Sequence, residues 1–344
     1  MNPLVSVIIV NHNGIDFVDT CLSSVLNSSY TDFEVVFVDN ASGDGSLEYV
    51  KKAFGSDQRL KFVENSGSLG PAVGRNRGSR SAKGKYLIFL DNDTKVKADW
   101  INEFVEVLER DKSIGAAQAK LLRMDTDFYD CAGDYLGPLG FLIERSRCAK
   151  DTGQFDYIAD ILSAKSAASI IRKDLFDKIG GFDEDFYMYL EETDLSWRVW
   201  LAGYRVVFVP KAVVYHAFET AKKDIKKYYS KYVVRYYGCR NYISTLIKNL
   251  EFRNLIRFLP LHIFSWIILS LLFLLKGQLR DFFYIIKGIF WNILNFGLLL
   301  KKRRIINREI RARGDTSILK TIKSSEGIGD YLRKIASYLN AGLA

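Results

Sequence analysis

Cysteine is scarce in this chain, no secretory leader is expected, and the first two thirds carry no basic excess. Four cysteines, Cys21, Cys131, Cys148 and Cys239, are scattered without a Cys-x-x-Cys pair. That spacing excludes a zinc ribbon and a disulfide framework and fits a reducing cytosol. Met1 to Val10 is a short apolar run with neither a basic n-region nor a cleavage site, so no secretory signal is expected and the bulk of the chain should stay inside the cell. Residues 1–220 sum to −8 and residues 221–344 to +17, giving the overall +9. An acidic first part argues against a nucleic-acid partner, whereas a basic, Tyr- and Leu-rich second part suits an anionic membrane surface.

Apolar, β-branched runs alternate with helical patterns from the start: Leu4 to Val10 then Phe17 to Leu26, Glu34 to Val38 then Leu47 to Phe54, Leu60 to Val63 then Val73 to Ser81, and Tyr86 to Leu90 then Trp100 to Leu108. This spacing predicts an α/β fold, a Rossmann-like, mostly parallel sheet with helices on both faces. In such sheets ligands bind at the carboxyl ends of the strands. Asn11-His12-Asn13-Gly14, Asp39-Asn40, Glu64-Asn65-Ser66-Gly67 and Asp91-Asn92-Asp93 all fall there and should converge. Gly67, Gly70, Gly74 and Gly78, around Arg75-Asn76, read either as a close approach of backbone to ligand or as a plain turn. Residues 121–161 give no clear periodicity. Farther on, a helix to Ile179, a Gly180-Gly181 break, a helix from Glu191 to Ala202 and two short strands, Val206 to Val209 and Ala212 to Tyr215, are expected, with His216 ending the second.

Asp91-Asn92-Asp93 is open to two readings. The triplet is a good turn and helix-cap sequence, and it is also a pair of carboxylates able to hold a hard divalent cation against a diphosphate. Glu191-Glu192-Thr193-Asp194 likewise reads either as ordinary acidic residues in a first helical turn or as a source of a general base.

Beyond Thr220 the chain divides into a basic, aromatic and apolar region, 221–310, and a helical tail, 311–344. Phe258 to Leu275 and Phe282 to Leu300, 18 and 19 residues long, approach the length that spans a bilayer. Pro260, Lys287, Asn292 and Asn295 would be costly at a bilayer centre, which favours helices lying in the interface over a two-span hairpin. Flanking cations place both outer ends on the cytoplasmic side in either arrangement. A buried helical pair in a homo-oligomer is the remaining alternative. Deleting Leu255 to Arg304 is expected to release the protein while leaving donor binding largely intact.

From Val5 to Asn11, through Val38-Asp39-Asn40-Ala41-Ser42, Asn65 to Gly78 and Asp91-Asn92-Asp93, to Gly181-Phe182-Asp183-Glu184, Glu191-Glu192-Thr193-Asp194-Leu195, Arg198 and His216, the chain resembles the inverting glycosyltransferases of family 2, with the GT-A fold. Within that family it is most similar to rhamnosyltransferase-like and cell-surface polysaccharide enzymes. The resemblance implies transfer of a sugar from a UDP-, dTDP- or GDP-linked donor to a lipid-linked or glycan acceptor at the cytoplasmic face of the membrane. It implies that Asn11, Asn13 and Asp39 line the nucleotide pocket, with Asn92 beside them, and that Asn65, Arg75 and Asn76 support the nucleotide-sugar. It further implies that Asp91, Asp93 and His216 hold Mn2+ or Mg2+, and that Glu192, with Glu191 beside it, is the general base. Relatives commonly carry Glu-Asp where this chain has Glu191-Glu192, which leaves open which of the two is the base. They often carry Gly-Ala near Ser166-Ala167-Ala168, so the acceptor does not transfer by resemblance. A sugar-1-phosphate nucleotidylyltransferase is disfavoured because Asn11 to Asp16 lacks a glycine- and lysine-rich loop. A non-catalytic glycan-binding scaffold is disfavoured because Asp91, Asp93, Glu192 and His216 are all present.

Overall fold

The computed structural model describes residues 4–137, 139–146, 149–217 and 231–321. The start of the basic region and most of the expected 311–344 tail lie outside the described residues. In chain order come β1 (Val5–Asn11), α1 (Ile15–Leu26), β2 (Phe33–Asp39), α2 (Ser46–Phe54), β3 (Leu60–Glu64), α3 (Gly70–Ser81), β4 (Tyr86–Asp91), β5 (Thr94–Val96), α4 (Trp100–Arg110) and β6 (Ile114–Arg123). Four short strands follow, β7 (Tyr129–Cys131), β8 (Asp134–Leu136), β9 (Leu142–Glu144) and β10 (Ala159–Asp160). Then come β11 (Ala168–Arg172), α5 (Lys173–Lys178), α6 (Glu191–Leu201) and β12 (Arg205–His216). The last helices are α7 (Lys231–Asn249), α8 (Phe252–Leu275), α9 (Leu279–Leu294), α10 (Phe296–Ile305) and α11 (Asp315–Thr321).

The strands order β10-β12-β6-β11-β4-β1-β2-β3 in one sheet, with β5 paired to β12 and β7 to β6. β4, β1, β2 and β3 are parallel, as their alternation with helices predicts. β11 enters antiparallel between β4 and β6. Neither β6 nor β11 stands out in the sequence, because Ala116, Ala117 and Ala119 carry no strand preference and pack as small residues in the sheet. The two short strands expected near the end are one strand, β12, with a register shift between Val209 and Val213. Pro210, which has no N–H for a ladder, lies in that bulge.

Gly74 and Gly78 face the sheet. A Cβ on Gly74 would lie 2.8 Å from Val10, and one on Gly78 2.6 Å from Ile8 and 2.9 Å from Val38. Their role is to lay α3 tightly on β1 and β2, which brings Arg75 to the strand ends.

The tail shares the core of the sheet. Leu246, Leu250, Ile306, Ile310 and Ile318 belong to the same apolar cluster as Trp197, Leu201 and Phe208. Phe141, beside β9, packs against Tyr242, His262 and Trp266 of α7 and α8. Ala312 donates its N–H to the Leu201 carbonyl at 2.7 Å. Lys248 is buried and bonds Asp183 at 2.5 Å and Asp194 at 2.8 Å, while Lys302 reaches Asp183 and Asp185 at 2.5 Å each. These contacts revise the expectation that residues 255–304 can be removed without consequence for the site, because the deletion would strip Lys302 from the segment that leads into α6.

The outer side of the tail is apolar. Phe252, Phe264, Leu275, Phe283, Phe290 and Leu294 are all exposed. α8 is the one described helix long and apolar enough to cross a membrane, and the second apolar stretch is bent by 62° between α9 and the 296–310 segment. Asn292, expected to be costly in lipid, turns inward and donates to the Arg240 and Gly288 carbonyls at 3.0 and 2.9 Å.

Burial alone would raise the Asp183 carboxyl, but Lys248 and Lys302 overcome it and hold its pKa well below the ordinary carboxylate range. A depressed carboxylate stabilises the fold fully above its unfolded pKa of about 4, and that contribution fades below it and is lost as the pH falls through the much lower folded pKa. Lys248→Ala leaves two buried carboxylates short of a partner and should cost about 3–5 kcal/mol in urea unfolding at pH 7. Because the lost pairing is itself acid-sensitive, the gap between variant and parent should narrow at pH 3. An equal gap at both pH values would contradict this account.

Candidate active site

The polar clusters at the strand ends are drawn together by a chain of amides. Asn11, fully buried at the end of β1, donates to Asp39 at 3.0 Å and to Ser46 at 2.8 Å, and accepts from Asn92 at 2.6 Å. Asp39 is held in turn by the Ser42 N–H at 2.9 Å and the Ser42 hydroxyl at 2.6 Å. Gly14 sits where a Cβ would fall 2.0 Å from the Asn92 amide, so the turn after β1 requires glycine. Asn13, in the left-handed region at φ 54°, accepts from the Gly43 N–H at 2.8 Å. Asn65 donates to Asn40 at 2.6 Å, and Asn40 donates to the Gly70 carbonyl at 3.1 Å. Asn11, Asn13, Asp39 and Asn92 therefore form one patch, with Asn65 reached through Asn40. Asn76 is directed elsewhere, clamping the Phe182 backbone at 2.8 and 2.9 Å and Glu184 at 3.0 Å.

Beside this patch, one ligand atom each from Asp91, Asp93 and His216 lies within 4.8 Å of the others. Topology explains why a histidine so far along the chain arrives here. β5 begins directly after the triplet and pairs antiparallel with the end of β12, setting His216 opposite Thr94. The His216 Nε2 is 3.3 Å from Asp93, and its Nδ1 is 2.9 Å from Asp130. Burial pulls the imidazole pKa down, yet the carboxylates of Asp93 and Asp130 outweigh it and hold His216 well above its ordinary value. Two carboxylates and an imidazole form an oxygen-rich donor set suited to Mn2+ or Mg2+. A carboxylate behind the histidine is the usual device for fixing such a ring. Asp130 has no signal in the sequence, where it falls in the segment without periodicity.

The third group is built around Arg75. Its guanidinium is buried and bonds Asp91 at 2.8 Å and Glu191 at 2.8 Å. Burial, and then the adjacent Glu192 carboxylate, push Glu191 up to about 7 against the pull of Arg75. Glu191 is thus an enclosed partner of Arg75. Glu192, one residue on, is half-buried and has no hydrogen-bond or ion-pair partner among the described residues. Leading into the pair, Tyr187, Tyr189 and Leu190 take φ values of 60°, 65° and 67°. Each such non-glycine residue costs about 1–3 kcal/mol and persists only where its surroundings impose it.

The sheet order and the carboxylate cluster at its edge define a GT-A-type fold, and solved structures share that architecture. S. aureus TarS 1-349 in complex with UDP-GlcNAc aligns with a TM-score of 0.57 at 19% identity, over 84% of this chain and 79% of that one. The mannosyltransferase PcManGT from Pyrobaculum calidifontis, in complex with GDP-Man and Mn2+, aligns with a TM-score of 0.54 at 16% identity, over 89% and 86%. A family model described as Glycosyl transferase family 2 matches residues 6–180, half of the chain, and the chain belongs to that family. Among curated relatives, the teichuronic acid biosynthesis glycosyltransferase TuaG of Bacillus subtilis, named as putative, is 33% identical over 124 residues, 36% of this chain and 49% of that protein. The O-antigen biosynthesis protein RfbC of Myxococcus xanthus is 28% identical over 231 residues, 64% of this chain and 18% of that protein. The chain thus spans less than half the length of these two relatives.

Asp130→Asn removes the negative charge behind His216 while keeping its size. Mn2+ affinity, read by calorimetric titration, should fall by roughly 10- to 100-fold with the fold intact. An unchanged affinity would remove Asp130 from the site.

Proposed function

We propose that this chain transfers a sugar, with inversion, from a UDP-, dTDP- or GDP-linked donor to a hydroxyl of a lipid-linked or cell-surface glycan acceptor. The observation that carries the reading is the separation of two carboxylate functions across Arg75. Asp91, which clusters with Asp93 and His216, and Glu191, the neighbour of Glu192, are held by separate nitrogens of the Arg75 guanidinium, and Glu192 itself has no hydrogen-bond or ion-pair partner among the described residues. That arrangement suits a displacement in which the leaving diphosphate and the incoming hydroxyl occupy opposite faces of one sugar carbon.

Asp91, Asp93 and His216 would hold Mn2+ or Mg2+, which when bound supplies positive charge to the diphosphate as it departs. Asn11, Asn13, Asp39 and Asn92 form the patch that receives the base and ribose. Arg75 orients Asp91 and keeps Glu191 enclosed, while Asn65 and Asn76 act at one remove, through Asn40 and through the Phe182 backbone and Glu184 side chain. Glu192 accepts the proton of the acceptor hydroxyl as the oxygen attacks, a role open to a carboxylate with no hydrogen-bond or ion-pair partner among the described residues. Between the two adjacent glutamates this assigns the base to Glu192.

The exposed apolar side of α8 and α9, together with Arg253, Arg257, Lys276, Arg280 and Lys301 at or near the helix ends, favours seating on an anionic membrane surface. A lipid-linked acceptor would present itself there, at the cytoplasmic face. The names of TuaG and RfbC, which refer to cell-surface polymers, support that class of acceptor, and the UDP-GlcNAc and GDP-Man complexes of TarS and PcManGT support that class of donor.

Calorimetry with UDP, GDP and dTDP, with and without Mn2+, should show metal-dependent binding of one nucleotide, lost in Asp93→Ala. Glu192→Gln should keep that binding and lower transfer by about 10²- to 10⁴-fold, with Glu191→Gln less affected. Absence of binding to any nucleotide would sink the reading, and full transfer by Glu192→Gln would sink the assignment of the base.

A further inference from the structure

The five residues before α6 make an unusual entry to a helix. Tyr187, at φ 60° and ψ −65°, is the centre of a γ-turn in which the Met188 N–H donates to the Phe186 carbonyl at 2.7 Å. Tyr189 and Leu190 continue in the left-handed region, and Leu190 stands at the N-cap of the helix that begins with Glu191-Glu192. No local sequence preference selects this path, since Tyr and Leu both disfavour positive φ. Something outside the segment must impose it.

The imposing group is a single amide on the tail. Asn241 of α7, fully buried, directs its Nδ2 at the carbonyls of Phe186, Met188 and Tyr189, at 3.1, 2.8 and 2.8 Å. Three carbonyl oxygens can be met only by the amino end, so the orientation of the amide is fixed by its partners. Around it, the Arg240 guanidinium donates to the Asp185 carbonyl. Tyr237 stacks on Tyr187 at 5.4 Å and 25°, and Asn249 donates to Asp194 at 2.8 Å. From the opposite side the start of α3 closes in, where a Cβ on Gly70 would lie 2.6 Å from the Tyr187 carbonyl. The segment is gripped between the strand-end patch and the tail, and Glu192 follows directly from it.

We infer that Asn241 is a positioning residue for Glu192: it holds the left-handed entry to α6 in register and so sets where the Glu192 carboxylate stands relative to the metal cluster. The inference rests on the reading of Glu192 as the base. It makes the tail part of the reaction centre as well as a means of attachment. Backbone carbonyls left without this amide would turn towards other donors, and the first turn of α6 would shift with them.

The test compares full-length Asn241→Asp and Asn241→Ala with Ser244→Ala. Ser244 bonds Arg240 and Asn292 within the tail and does not touch the 186–190 segment, so it reports tail destabilisation alone. Amide hydrogen exchange across residues 186–194 should rise in both Asn241 variants and stay at the parent level in Ser244→Ala. The kcat for transfer should fall by roughly 10- to 100-fold in the Asn241 variants, with donor KM and metal-dependent nucleotide binding within about twofold of the parent. Unchanged exchange, unchanged kcat, or an equal loss of kcat in Ser244→Ala each overturns the positioning role. A parent protein that binds no nucleotide and transfers nothing overturns instead the functional reading beneath it, so the two failures are distinguishable.

Discussion

Arg75 is the charge on which the arrangement depends. A buried guanidinium cannot be neutralised, so it must be met by anions of fixed geometry. Asp91 comes from the end of a central strand and Glu191 from the first turn of a helix far along the chain, 116 residues after Arg75. Meeting both with one planar group locks the strand edge to the helix that carries Glu192. The close seating of α3 on β1 and β2 through Gly74 and Gly78 delivers the guanidinium to that point. Helix packing, strand order and carboxylate spacing are therefore consequences of one another.

The same dependence explains what could be read from the sequence. The parallel half of the sheet was legible because each strand is an apolar run followed by a helical period, and the four polar strand ends followed from the topology. Asp91, Asp93 and His216 were legible as a set only through resemblance; their proximity comes from β5 pairing with β12, which no local pattern encodes. β6 and β11 were hidden because alanine and serine say little about strands. Gly74 and Gly78 were open to reading as a close approach to ligand or as a plain turn, and they face the sheet, since a glycine declares closeness without naming its neighbour. Asn76 was read as supporting the nucleotide-sugar, and its amide engages the Phe182 backbone and the Glu184 carboxylate, partners that no local pattern announced. Asp130, Lys248 and Asn241 carried no signal, because each acts across a long stretch of chain on a partner that only the fold brings near.

The tail has two faces with different chemistry. Its inward face is polar and specific: Asn241, Lys248, Asn292 and Arg303 each serve a carbonyl or carboxylate. Its outward face is a broad apolar surface edged with cations. Asn292, which looks out of place for a lipid-contacting helix, is committed to the protein side, whereas Lys287 stays exposed. Composition along the chain averages the two faces and so could not separate them.

The bulge in β12 sets the frame of the Asp91, Asp93 and His216 cluster. Side chains along a strand alternate between faces, so the number of residues between Val209 and His216 decides which of Tyr215 and His216 looks towards Asp93. The register shift at Pro210 absorbs the extra length and lets the far end of the strand meet β5 in phase. A single-residue insertion in that stretch would exchange the imidazole for the Tyr215 phenol at the cluster, and a deletion would exchange it for the Ala217 methyl, while leaving the composition of the strand almost unchanged. Histidine at this position is thus a property of counting as much as of chemistry, and the spacing from Pro210 to His216 is as informative a marker of an intact site as the histidine itself.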